Sequence, residues 1–200
     1  MGHTKRHFFL FLCGWIIFSI FPFAHANQDN TKLKHTKTKL SLNLSEAERV
    51  LLKGKFIELP SSPLGAENFQ GIPVNDAHPE LFMYQNKFIL LNFWATWCMP
   101  CLKELPDMER LHQKLGKKGL IVLAIAMGES KQTVKKFLKR HPLTFPIIAD
   151  PDMEISQLYG VNNLPITFLI DQDQTIIGRA LGPRKWDNPD LVEFFRKKIK

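Results

Sequence analysis

Between Phe88 and Leu115 the spacing of the apolar residues changes, and the change marks an element boundary. Phe88-Ile89-Leu90-Leu91-Asn92-Phe93 is almost continuously apolar and rich in branched and aromatic residues, which predicts a buried strand over 88–94. Beyond Cys101 the apolar positions fall at helical intervals, at Leu102, Leu105, Met108, Leu111 and Leu115. A helix is therefore expected from about Pro100 to Leu115, stopped at Gly116 and kinked by Pro106. Gly119 leads into a second buried strand, Leu120 to Met127. Ser130 caps a helix that turns Val134, Phe137 and Leu138 to the core, with Pro142 beyond its end. Phe145 to Ala149 reads as a third strand, and Met153 to Tyr159 as a short helix closed by Gly160. Ile166 to Asp171 and Thr175 to Leu181, joined at Gln172-Asp173, carry the signal of a hairpin. Asn188-Pro189 opens a last amphipathic helix with Leu191, Phe194, Phe195 and Ile199 inward. The alternation predicts one α/β domain, a central sheet with helices on both faces.

Upstream the pattern is weaker. Ser45 with Glu48 three residues on is a capping-box pair, opening a helix over about Glu46 to Lys53 that stops near Gly54. Phe56 to Leu59 reads as a short strand, and Pro60 to His78 as loop punctuated by Pro63, Gly65, Gly71 and Pro73. Asn27 to Leu40 is polar, lysine-rich and without period, as expected of a tail or linker. Before it, Lys5 and Arg6 precede an apolar run from Phe8 to Phe23, followed by Ala24-His25-Ala26. That order of basic, apolar and small residues is the pattern of a secretory signal cut after Ala26. The alternative is an uncleaved anchor through residues 8–24, because the run approaches the length that spans a bilayer. The expected organisation is a signal or anchor at 1–26, a polar tail and short helix at 27–54, and the α/β domain at 55–200.

Export changes the meaning of charge and cysteine content. The chain carries +8, of which Lys5 and Arg6 supply two, leaving +6 after cleavage. An exported protein has no nucleic acid to meet; the lysines are either a solvated surface or a face for anionic lipid or an acidic partner. Cys13 lacks the preceding small residue of a lipoprotein site and reads as an inert apolar residue. Cleavage leaves Cys98 and Cys101 as the only cysteines. A bridge between them closes too short a loop to staple a fold, so the pair points to redox work.

Their place gives them chemistry. They sit where a strand ends and a helix begins, and the first helical turn offers unpaired N–H groups and the positive end of the macrodipole. Cys98 should ionise below the value of about 8.5 for a free cysteine, with Cys101 one turn deeper and more protected. An exposed attacking thiolate and a sheltered resolving thiol are what thiol–disulfide exchange needs. A metal site would need further cysteine or histidine ligands, and His112 and His141 show no such spacing. A peroxidatic cysteine of the peroxiredoxin pattern has threonine three residues before it, where Cys98 has Ala95. Met99-Pro100 adds no positive charge between the cysteines, so the couple should lean reducing. Glu104 lies one turn past Cys101 on roughly the same face. In a partly apolar setting its carboxyl would titrate high and carry protons for Cys101; the alternative is a solvent-facing glutamate. Trp94 reads as core and Trp186 as either core or groove.

In Trp97-Cys98-Met99-Pro100-Cys101, with Glu104 and Pro106 in Cys-Leu-Lys-Glu-Leu-Pro and with Leu164-Pro165-Ile166-Thr167, the chain resembles the thioredoxin superfamily. It is most similar there to the exported ResA/TlpA-like thiol–disulfide oxidoreductases, over roughly Lys87 to Lys200. Asn92, standing where ordinary thioredoxins have a buried aspartate, is a departure that this subfamily shares. The resemblance implies a thioredoxin-like fold with a central mixed sheet flanked by helices and an N-terminal extension. It implies that Cys98, Cys101, Glu104 and Pro165 are the catalytic residues, with Glu104 in a cavity beside the thiols and a cis bond before Pro165. Trp97, Pro100 and Leu164 would contact the client. No cofactor or metal is expected beyond the Cys98–Cys101 couple.

The implied role is an exported, periplasmic reductase of protein disulfides. Client proteins with cysteines, apocytochrome c among them, would be its substrates, and a membrane thiol transporter its electron donor. Two other roles stay open: an oxidase or isomerase of secreted proteins, and a non-catalytic chaperone or adaptor of the same fold.

Overall fold

The computed structural model describes residues 44–55, 57–62 and 64–199. The expected signal or anchor, Cys13 and the polar stretch to Leu40 lie outside the described residues, as does Phe56. Among the described residues no helix is long and apolar enough to cross a membrane.

The strands are β1 (Ile57–Glu58), β2 (Leu64–Gly65), β3 (Ile72–Pro73), β4 (Phe88–Trp94), β5 (Leu120–Met127), β6 (Ile147–Asp150), β7 (Ile166–Ile170) and β8 (Thr175–Leu181). The helices are α1 (Glu46–Gly54), α2 (Met99–Leu115), α3 (Lys131–Leu138), α4 (Glu154–Leu158) and α5 (Pro189–Lys198). They build the expected mixed sheet, in the order β1-β8-β7-β4-β5-β6-β3, with β2 also on β8. β4 runs parallel to β5 and antiparallel to β7, so it sits in the middle. That is why its residues are buried on both faces.

The two-residue period of β4 divides the core. Phe88, Leu90 and Trp94 join α2 and α5 in one apolar cluster, where Phe88 packs against the rings of Phe194 and Phe195. Ile89, Leu91 and Phe93 face Leu81, Tyr84, Ile155 and Phe168 in the other. Asn92 has the parity of Leu90 and Trp94, so the strand itself turns this amide toward α2.

Boundaries move where a polar cap or the pairing register, rather than hydrophobicity, sets them. α1 forms with the full Ser45–Glu48 capping box. α2 starts one residue earlier than expected because Cys98 is its cap. Gly116 does not stop the chain in a left-handed turn; it stays right-handed and begins a 3-10 turn, Gly116–Lys118, that ends at left-handed Gly119. β6 begins at Ile147 rather than Phe145, although Phe145 is buried. Met153 precedes α4 instead of opening it, and Asp171 leaves β7 to accept the N–H groups of Asp173 and Thr175 in the hairpin turn. The expected loop 60–78 contains β2 and β3, and a 3-10 turn, Leu81–Tyr84, follows it. Gly71 is required where this segment crosses β6: a Cβ there would meet Ile148 Cγ2 at 2.3 Å.

Candidate active site

β4 ends at Trp94, and Ala95 to Cys98 closes as a turn in which the Cys98 N–H donates to the Ala95 carbonyl at 3.1 Å. Cys98 is then the N-cap of α2, and its Sγ accepts the Cys101 N–H at 3.3 Å. Cys98 and Cys101 are joined as a disulfide, with Cα atoms 5.3 Å apart. The sulfur therefore stands where the orphan donors of the first turn converge, which favours an anion at Cys98 once the bond is reduced.

Cys98 is less open than expected. It is 4% exposed, against 0% for Cys101, because its sulfur turns into the helix start. What remains exposed borders a depression of about 440 Å³ lined by Trp97, Met99, Pro100, Met127, Asn162, Asn163 and Leu164. None of these residues is charged. Trp97 and Met99, 69% and 64% exposed, form an apolar rim of a kind that marks contact surfaces. Leu164 is half-buried, and the Leu164–Pro165 bond is cis. The Pro165 carbonyl accepts from the Gly182 N–H, which ties this loop to the end of β8. The structure thus brings Cys98, Trp97, Pro100 and Leu164 to one opening, with Pro165 behind it.

Glu104 lies on the buried side of α2, 1% exposed, rather than in solvent. Its Oε2 accepts the Arg184 N–H at 2.9 Å and Trp186 Nε1–H at 3.0 Å, and its Oε1 accepts from Asn92 Nδ2 at 3.0 Å. Burial pushes the carboxyl up to about 7, and these three donors offset only part of that rise. The Arg184 side chain pins the loop that carries its N–H, donating to the carbonyls of Lys55, Leu181, Gly182 and Pro183. Glu104 also borders a cleft with Lys103, Asp107, Pro183, Arg184 and Lys185.

Asn92 adds a second arrangement. Its Nδ2 donates to both Glu104 and Thr167 Oγ1, while its Oδ1 is buried without a partner. This orientation suits an ionised Glu104. Turned over, the amide would accept from a protonated Glu104 and from the Thr167 hydroxyl, so one side chain can serve both protonation states.

Sequence reasoning singled out Glu104 and Asn92 and met Thr167 only as the end of the Leu164-Pro165-Ile166-Thr167 motif; it missed Arg184, which no spacing connects to Glu104. Trp186, open between core and groove, is fully buried and faces Glu104.

Comparison with known proteins places the chain among thiol-disulfide oxidoreductases of this fold. Residues 66–179 match the AhpC/TSA family, so the likeness begins well before Lys87. The chain is 36% identical over 151 residues to the thiol-disulfide oxidoreductase ResA of Bacillus thuringiensis subsp. konkukian, covering 74% of this chain and 86% of the relative. With ResA of Bacillus subtilis the identity is 37% over 117 residues, 58% of this chain and 65% of that one. Among solved structures it is similar to a thiol:disulfide interchange protein, DsbE, from Chlorobium tepidum. The TM-score is 0.62 at 28% identity, over 68% of this chain and 96% of the other.

Proposed function

This chain belongs to the AhpC/TSA family as a thioredoxin-fold protein disulfide oxidoreductase of the ResA type, and from that premise we propose that it is an exported reductase. The observation that carries the reading is the redox turn itself: Cys98 Sγ at the cap of α2, with an uncharged Met99-Pro100 between the cysteines. The helix start alone stabilises the thiolate, and no side-chain cation in the dipeptide adds to it, so the reduced form is stabilised less than in the strong oxidants of the superfamily.

In the forward reaction Cys98 thiolate attacks a client disulfide, and one client sulfur leaves as thiolate and takes a proton. Cys101 then loses its proton and attacks Cys98 Sγ, which releases the second client thiol. Two electrons pass to the client, and the chain ends as the Cys98–Cys101 disulfide. Glu104, one turn from Cys101 and titrating near neutrality, is suited to accept the Cys101 proton. The uncharged depression beside Cys98 suits an extended client segment laid against Leu164. Repeated turnover in an oxidising compartment needs a thiol donor, for which a membrane thiol transporter is the natural class. Export rests on Lys5, Arg6 and the apolar run to Phe23; apocytochrome c, with closely spaced cysteines, is the client that the resemblance implies.

The test is covalent trapping. Cys101→Ala should hold clients as mixed disulfides on Cys98, and Cys98→Ala should hold few or none. Mass spectrometry of the trapped species should return exported proteins with closely spaced cysteines. Recovery of multi-disulfide secreted proteins alone would replace the reductase reading with isomerase, and no trapping by either variant would favour the adaptor. Against glutathione buffers the couple should poise nearer thioredoxin's value of about −270 mV than the value of about −120 mV of a strong oxidant.

A further inference from the structure

The turn that presents Cys98 is held from outside by a residue the exchange chemistry does not use. Ala95 and Cys98 close the turn through their own backbone, and Thr96 stands at its second position. Both Thr96 donors go to one side chain: the N–H to Glu129 Oε2 at 2.8 Å and the hydroxyl to Glu129 Oε1 at 2.5 Å.

Glu129 is a buried acid that forms no ion pair among the described residues. Burying such a group without a task is costly. Its backbone is fixed on both sides. Gly128, at φ +69°, donates its N–H to the Asp150 carbonyl at the end of β6, and Ser130 is the N-cap of α3. The carboxyl is not needed to cap α3, because Ser130 Oγ already takes the Thr133 N–H. Its two oxygens face Thr96, and Met127, two residues before it, lines the depression at Cys98.

We propose that Glu129 is a positioning residue of the redox centre: by accepting both Thr96 donors it latches the Ala95–Cys98 turn, and so fixes where Cys98 Sγ and Trp97 point. Without the latch Thr96 loses both of its hydrogen bonds, and between β4 and the start of α2 the turn keeps the Cys98-to-Ala95 backbone bond. Cys98 would then hold less firmly the cap position at which the Cys101 N–H reaches its sulfur. The inference rests on thiol–disulfide exchange at Cys98 but not on its direction or on any client.

Thr96→Val removes the hydroxyl donor and leaves every charge in place, including Glu129 on the β5–α3 loop and Glu104 on α2. With the reduced full chain and a synthetic disulfide peptide, Thr96→Val should slow exchange about fivefold. It should also raise the pH at which the Cys98 thiolate forms by about half a unit, read by iodoacetamide reactivity. Thr96→Ser, which keeps the donor, should recover most of both changes. Glu129→Ala should be slower than Thr96→Val, and adding Thr96→Val to it should slow it no further. Thermal unfolding confirms that each variant is folded; should Glu129→Ala fail to fold, the Val and Ser variants decide. Wild-type exchange and titration in Thr96→Val, equal losses in Thr96→Ser, or additive losses in the double variant would each overturn the latch. Failure of client trapping would leave these results unaffected.

Discussion

Replacing Glu104 by glutamine isolates the proton on the buried carboxyl. The substitution keeps size and shape but removes the titration. In the folded chain the carboxyl titrates at about 7, against an ordinary value of 4.5, with burial as the larger cause and the Arg184, Trp186 and Asn92 hydrogen bonds opposing it. A raised pKa means that the folded chain holds this proton more tightly than the unfolded one. The associated stability is fully present below pH 4.5 and is lost as the pH rises through about 7. The difference between those two values corresponds to about 3 kcal/mol, a conversion that its near-complete burial permits. Urea unfolding of the oxidised proteins measures it, because every other titrating group cancels between wild type and variant. Near pH 4.5 the two should be similar. By about pH 8 Glu104→Gln should have gained about 3 kcal/mol relative to wild type. A gap that stays constant to within about 0.5 kcal/mol would mean that Glu104 titrates like a surface carboxyl. The rate of exchange should follow the same proton, with an inflection near pH 7 in wild type that the variant lacks.

Two further substitutions test the donors around that carboxyl. Trp186→Phe keeps an aromatic ring in the buried site but withdraws one donor from Oε2, so the pH window of the stability difference should move up by about one unit. Asn92→Asp puts a second carboxyl within hydrogen-bond reach of Glu104; the pair should share a proton, and stability at pH 8 relative to pH 5 should fall by about 3 kcal/mol more than in wild type. Urea titrations at the two pH values read both, and an unchanged pH profile in either would detach that residue from Glu104.

The redox turn was legible because its parts are adjacent in sequence. A change from continuous apolar residues to helical spacing, with two cysteines at the junction, specifies a strand end and a helix start without long-range information; that Cys98 Sγ caps the helix was visible only in the structure. Helix α1 was legible for the same reason, since the capping box spans four residues. β2 and β3 were not: each is two residues long with largely exposed side chains, and each exists only because β8 or β6 offers a free edge. The exposure of Cys98 was overestimated because helix position says nothing about what covers a sulfur. Trp186 could not be assigned, because its partner is 82 residues away and becomes a neighbour only when the end of β8 meets α2. Glu129 and Thr96 are 33 residues apart and meet only because β4 and β5 are parallel neighbours.

Parity in β4 explains why the acid and the amide meet, on the helix that carries the disulfide. Asn92 points to the α2 face because Leu90 and Trp94 do, and Glu104 points back because it follows Cys101 by one turn. Three donors, one from β4 and two from the loop between β8 and α5, then converge on a group that can only accept when ionised. A neutral amide at 104 would leave at least one donor without an acceptor, whereas an ionised carboxyl satisfies all three but bears the cost of a buried charge. These opposing demands leave the carboxyl near pH 7, neither held firmly protonated nor held firmly ionised. That balance is the condition under which a carboxyl exchanges a proton readily with a thiol at neutral pH, where a surface glutamate would already be empty. If Glu104 serves Cys101 as proposed, the buried acid is kept in the core for the proton it takes up and releases, and its three donors hold its titration below where burial alone would place it.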